Sequence, residues 1–167
     1  MHSTPWKYSE KGISIVEVLA VILIIGIALG SLLNLAVFSL KSSGATKEEI
    51  AAGILAQKTM EEVRSFRDGT SWGSDGLGVL AAGTAYHPIE EPTATSTRWA
   101  LLDGEEVLGR YTRKVVPENV SRDPVTKNIE AIYNVANNDT ETKKIVVTIS
   151  WGNKTLALTA YLTNWKQ

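Results

Sequence analysis

The sequence has no cysteine. That excludes disulfides, thiol catalysis and thiolate metal sites, and it leaves the redox compartment open. Histidine is nearly absent: His2 and His87 stand far apart, so a histidine-based metal cluster has no material. A dominant charge is also missing. Seventeen basic and eighteen acidic side chains leave a formal net charge of −1. The chain therefore carries no broad electrostatic lure for nucleic acid or anionic lipid, and strong nucleic-acid binding is not expected. No nucleotide-binding loop, nucleophile elbow or zinc motif occurs, so the reading is not an enzyme, and no cofactor or metal is implied.

What is present is distributed unevenly. From Ile13 to Phe38 the sequence runs ISIVEVLAVILIIGIALGSLLNLAVF, with Glu17 as its only charged residue. As a helix this run extends roughly 39 Å, against about 30 Å for the hydrocarbon core of a bilayer. A cleaved secretory signal needs a shorter apolar stretch followed by a small-residue cut site. Here the run is too long and no well-matched site follows. A plain anchor, with Lys7 and Lys11 held inside and the bulk of the chain outside, agrees with the positive-inside tendency but leaves Glu17 unexplained. A carboxylate within the apolar part of a spanning helix is costly, about 2.5–3.5 kcal/mol at mid-membrane and less at the shallower depth of Glu17. Either Glu17 snorkels to water or it has a cationic partner.

Lys11-Gly12, then Ile13-Ser14-Ile15-Val16-Glu17, then the apolar run, resembles the processing signal of type IV pilins and pseudopilins. The resemblance covers roughly the first 30 residues. It implies that a membrane-embedded prepilin peptidase cuts after Gly12 and methylates the new amino terminus at Ile13. It also implies that Glu17, fifth in the mature chain, serves assembly. The family often begins with Phe or Met, with Ile an accepted variant. It often carries a helix-breaking proline in the anchor, and this chain has none. The physics agrees: the amine freed at Ile13 can meet Glu17 of its own or a neighbouring chain, cancelling two charges that are expensive in lipid or in a dry filament core.

Further along, ATKEEIAAGILAQKTMEEVRSF (45–66) is rich in helix formers. At 100° per residue, Ala52, Leu55, Ala56, Thr59, Val63 and Phe66 share one face, while Ile50 and Ile54 share another. The first face should pack on a folded head. Ile50 and Ile54 should stay exposed, either as candidate filament-packing residues or as a surface with no partner. Gly26 and Gly30 mark either close helix packing or the ordinary glycine content of membrane helices. Gly44 and Gly53 are soft points.

Residues 68–97 are dense in Gly, Pro, Ser and Thr, which is loop material that can hold a short strand or helix. Strands are expected at Trp99–Leu102, Val107–Val116 and Ile129–Val135. A hairpin follows, alternating through Ile145, Val147, Ile149 and Trp151, turning at Gly152-Asn153, and continuing through Leu156, Leu158, Ala160 and Leu162. Asn137-Asn138-Asp139 with Glu141 reads as a solvated turn in preference to a calcium loop. Asn119, Asn138 and Asn153 open glycosylation-like triplets of low specificity. Trp72, Trp99 and Trp165 are candidate adhesive aromatics, with core packing the better reading for Trp99 and Trp151.

The expected fold class is α+β and pilin-like: a long N-terminal helix, apolar then amphipathic, packed on a small C-terminal antiparallel sheet. Its divisions are a leader (1–12), an apolar helix (13–42), its amphipathic continuation (43–67), a helix-to-sheet loop region (68–97) and a sheet head (98–167). The resemblance implies a structural, minor subunit of a type IV pilus-like filament. The alternatives are a pseudopilin of a type II secretion system, or a DNA-uptake or adhesion pilin. Implied partners are the prepilin peptidase, other pilin subunits, membrane lipid before assembly, and a pilus or secretion platform. The implied location is a single-pass inner-membrane protein with its head outside the cytoplasm, then an extracellular or periplasmic filament.

Overall fold

The computed structural model describes residues 12–92 and 97–165. One helix, α1 (Ile15–Gly69), is followed by six strands: β1 (Tyr86–Pro92), β2 (Thr97–Asp103), β3 (Glu106–Leu108), β4 (Tyr111–Ser121), β5 (Asn138–Trp151) and β6 (Lys154–Thr163). The architecture is α+β, a long N-terminal helix packed on a small antiparallel sheet. The chain divides into two compact units, one ending at Lys47 and one beginning at Glu48.

In the first unit the helical residues through Leu40 are all exposed, and the apolar ones include Ile15 at 79% and Leu40 at 74%. A helix with apolar side chains on every side and nothing packed on them has the length and composition to cross a membrane.

In the second unit the helix is one-sided. Ala52, Ala56, Thr59, Met60, Val63 and Phe66 are buried, whereas Ile50 and Ile54 remain 58% and 62% exposed. Leu55, at the margin of the buried face, is half-buried and packs against the same core. Opposite it the sheet presents Val115 from β4, Ile145, Val147, Ile149 and Trp151 from β5, and Leu162 from β6. Every second residue of β5 from Ile145 onward is buried, as a sheet with one covered face requires.

The sheet order is β2-β1-β4-β5-β6, with β3 also paired to β4, and all its pairings are antiparallel. Two tight reversals set the register. Trp151 pairs with Lys154 across Gly152-Asn153, where Gly152 has φ +53°. A positive φ at the first central residue is what a type II′ hairpin turn needs, and its twist suits the flanking strands. The same device appears at Gly109-Arg110, with φ +63° at Gly109 and Leu108 paired to Tyr111. That turn corrects the expectation of one strand over Val107–Val116: the glycine lets the chain double back, so the stretch is β3, a turn and the start of β4.

One further strand expectation changes, and one loop region holds the short elements it allowed for. The loop-rich stretch 68–97 holds a short 3-10 turn at Leu77–Val79 and the whole of β1. Ile129–Val135 is not a strand. Ile129 makes one isolated bridge to Arg122, and thereafter Glu130 N–H donates to the Ser121 carbonyl at 2.9 Å and Asn134 N–H to Ser121 Oγ at 2.9 Å. Local acceptors satisfy this backbone in place of a ladder, and Ile132 and Val135 are left 85% and 79% exposed. The Asn138-Asp139 segment, expected as a turn, already belongs to β5 and pairs with Ser121 and Val120.

Candidate functional site

Lys11 lies outside the described residues. Gly12, Ile13 and Ser14 precede the helix without regular structure, and all three are exposed. A Cβ at Gly12 would meet nothing within 4 Å. Ser14 closes the helix start: its carbonyl accepts from the N–H groups of Glu17 (3.0 Å) and Val18 (3.2 Å), and its hydroxyl oxygen accepts from Val16 N–H at 3.3 Å. That is the work of an N-cap serine, which satisfies backbone donors lacking an intrahelical partner. The Gly12–Ile13 bond therefore sits just outside the helix, and Glu17 occupies its first turn, where the helix dipole favours negative charge.

On the folded unit, Ile50 and Ile54 face away from the core. Ile54 lines a shallow groove of about 530 Å³ with Lys58, Glu61, Arg64 and Leu158.

Sequence reasoning missed the polar cluster beneath the helix. Arg113, 7% exposed, donates from Nη1 to Glu62 Oε2 at 2.6 Å, from Nε to Glu106 Oε2 at 2.5 Å and from Nη2 to the Pro88 carbonyl at 2.9 Å. Glu62 is 5% exposed and also faces Lys58 at 3.8 Å. One guanidinium thus joins α1, β1, β3 and β4, and its neighbours occupy its donors, so the cluster has the character of a clamp. Its members are scattered through the sequence; the only hint was a charged residue at an inward position of the alternation around Val115.

The other polar residues singled out from sequence are engaged in structure. Asp139 Oδ2 accepts from Arg122 Nε at 2.5 Å, and Asp139 Oδ1 from Glu141 N–H at 2.9 Å. Burial by itself would raise this carboxyl, but hydrogen bonds from Thr142, Arg122 and the Glu141 backbone outweigh it and hold it below the usual carboxylate value. Asn137 donates to Glu130 Oε1 at 2.9 Å. Oxygen atoms of Asn138, Asp139 and Glu141 are thus turned to protein donors, and among the described residues no group of three or more His, Asp or Glu is placed to hold a metal ion. Asn119 Oδ1 accepts from Lys143 Nζ at 2.8 Å, and burial pushes that ammonium below the ordinary lysine value.

Of the tryptophans, Trp151 is buried against Tyr111 with ring centroids 6.0 Å apart, and Trp99 is half-buried on the same core. Trp72 and Trp165, distant in sequence, line one cleft beside the C-terminal end of α1. Compared with known proteins, the chain matches no family model, no curated protein and no solved structure.

Proposed function

We propose that this chain is a structural, minor subunit of a type IV pilus-like filament, cut after Gly12 by a prepilin peptidase and polymerised through its N-terminal helix. The observation that carries this reading is the arrangement around Glu17. A glycine stands in irregular, exposed backbone, a serine opens the helix two residues later, and one carboxylate sits in the first turn of an otherwise apolar span. A peptidase needs extended chain at the bond it cuts, and Gly12 is the least hindered residue to precede it. Once cut, the Ile13 amine supplies the cation that Glu17 lacks inside the apolar run, and the pairing sets the stagger between subunits. Ile50 and Ile54, exposed on the outer face of α1, are the packing contacts proposed for the folded unit.

The test is expression of the whole chain with and without a prepilin peptidase. Intact mass and amino-terminal sequencing should show a chain beginning at Ile13 and carrying one methyl group only when the peptidase is present. Gly12→Ala should be cut in part, and Gly12→Leu not at all. Glu17→Ala should insert and be processed, yet be depleted from sheared filaments. A mature chain beginning beyond Phe38 overturns the reading in favour of an ordinary secretory signal, and full incorporation of Glu17→Ala removes the pairing argument.

A further inference from the structure

The sheet ends on β6. In the order β2-β1-β4-β5-β6 this strand pairs with β5 alone, and among the described residues no other segment bonds to its free side. Edge strands of folded proteins are ordinarily short, bulged, or guarded by proline or charge, because an open row of N–H and C=O groups templates another strand. β6 has none of these guards. It runs from Lys154 to Thr163 without proline, keeps an unbroken register with β5, and carries one charge, at its first residue. The opposite edge, β2, is shorter and carries Arg98 and Asp103 near its two ends.

The hairpin fixes which groups face outward. Trp151 and Lys154 flank a two-residue turn and so form a hydrogen-bonded pair. Alternation along the ladder then turns the backbone groups of Leu156, Leu158, Ala160 and Leu162 towards β5. The N–H and C=O groups of Thr155, Ala157, Thr159, Tyr161 and Thr163 point away from the sheet. A row of donors and acceptors at that spacing is matched by one partner geometry, an extended chain.

The side of β6 that faces α1 is also unfinished. On β5 the inward residues Ile145, Val147 and Ile149 are fully buried, whereas Leu156, Leu158 and Ala160 on β6 are only half-buried. The shallow groove that Leu158 shares with Ile54, Lys58, Glu61 and Arg64 lies at this margin. A strand added to β6 would continue the inward face and turn every second side chain towards Leu158 and Ile54.

Charge narrows the partner further. Arg64 is paired with Glu61 at 2.5 Å. Lys58, its side chain 69% exposed, reaches only Glu62 at 3.8 Å, and Glu62 is held by Arg113 at 2.6 Å. The groove therefore has one cation in excess and suits a carboxylate. β6 itself has no acidic residue, so a second copy paired through β6 would bring Lys58 no counterion.

We infer that the free edge of β6 binds an extended segment of a different polypeptide, apolar at every second position and with an acidic residue on that same side. The inference uses only the edge and groove of the folded unit. Its test contains no filament and no peptidase, so it can fail while the filament reading stands, and the reverse.

The probe is the acetylated and amidated peptide Ser-Val-Thr-Val-Thr-Asp-Ser, whose two valines and aspartate share one side. It is titrated to millimolar concentration into the full chain in dodecylphosphocholine micelles. Backbone amide signals and their hydrogen exchange are followed by NMR. The controls are the same peptide methylated on its backbone nitrogens, and a version with lysine in place of aspartate.

Saturable shifts and slowed exchange at Thr155, Ala157, Thr159 and Tyr161, with the β4 amides unchanged, are the expected result. The methylated peptide should not bind, and the lysine peptide should bind about threefold more weakly, as an exposed ion pair allows. Thr159→Pro removes an outward N–H and spares the ladder with β5, as proline on an edge strand does, and should weaken binding about tenfold. Lys58→Glu, at an exposed site, should reverse the preference between the aspartate and lysine peptides. No saturable shift along β6, equal binding of the methylated peptide, unaltered affinity in Thr159→Pro, or an unchanged preference in Lys58→Glu would each overturn the assignment. So would slow exchange at these amides in peptide-free protein that sediments as a dimer, which would give the edge to a second copy.

Discussion

At the scale of single residues, Arg113 decides more than any other side chain in the folded unit. Taking a guanidinium and a carboxylate out of water costs several kcal/mol per ion, offset only when geometry is good and the remaining donors are satisfied. Here they are, by Glu62, Glu106 and the Pro88 carbonyl. The asymmetry gives a prediction. Arg113→Ala leaves Glu62, 5% exposed, without its main partner, and should cost about 3–5 kcal/mol in urea unfolding at neutral pH. Arg113→Met combined with Glu62→Leu removes the buried pair and should cost far less than the single change, because the one carboxylate left without its partner is Glu106, which at 30% exposed can be hydrated. Equal losses in the single and double variants would show that the packing of the side-chain stems, and not the pair, matters. Beyond the inward position of Arg113, none of this was legible in the sequence. Nothing in the sequence separates Glu62 from the other charges of the amphipathic helix, and nothing in a linear pattern ties it to a strand 51 residues away.

Elements were far more legible, for identifiable reasons. The 3.6-residue period picks out the buried face of α1 because one side of a helix can be covered by one sheet: of the expected face, Ala52, Ala56, Thr59, Val63 and Phe66 are buried and Leu55 is half-buried, while Met60 and Glu62, not expected there, are buried as well. The β5–β6 hairpin was readable because strict alternation flanks a Gly-Asn pair. Where alternation was absent the reading failed. Apolar composition suggested a strand at Ile129–Val135, but the N–H groups of Glu130 and Asn134 donate to the carbonyl and hydroxyl of Ser121, and only Ile129 makes a bridge, to Arg122. The helix faces yield a paired prediction. Phe66→Ala should cost about 3–5 kcal/mol, since the ring is 6% exposed against the sheet. Ile50→Ser with Ile54→Ser should change stability by no more than about 0.5 kcal/mol, as at ordinary surface sites. Thermal unfolding of the two variants side by side checks this, and a large loss in the serine variant would mean that the exposed face of α1 is misassigned.

For the whole molecule, the question is whether the folded unit depends on the apolar run that precedes it. The hydrophobic core draws its members from Ala52 to Leu162, and no described residue before Ala52 is a member of it. The ion pair nearest the start of the unit, Arg110 with Glu48, lies within the unit, as does the hydrogen bond from the Tyr111 hydroxyl to the Glu48 carbonyl at 3.1 Å. The large apolar side chains between Ile13 and Leu40 are 47% exposed or more. What they contribute to a chain in water is a liability, because an apolar surface of that extent drives association. A fragment from Lys41 to Gln167 should therefore be soluble without detergent and monomeric by sedimentation. Its circular dichroism should show both helix and sheet, and it should unfold in a single cooperative transition, as domains of this size usually do. Retaining residues 41–47 gives α1 extra turns ahead of Glu48, so that fraying at the new end stays clear of Ala52 and Ala56. Aggregation of the fragment, or a broad non-cooperative melt, would show that the apolar helix is part of what holds the sheet unit together, contrary to the core described above.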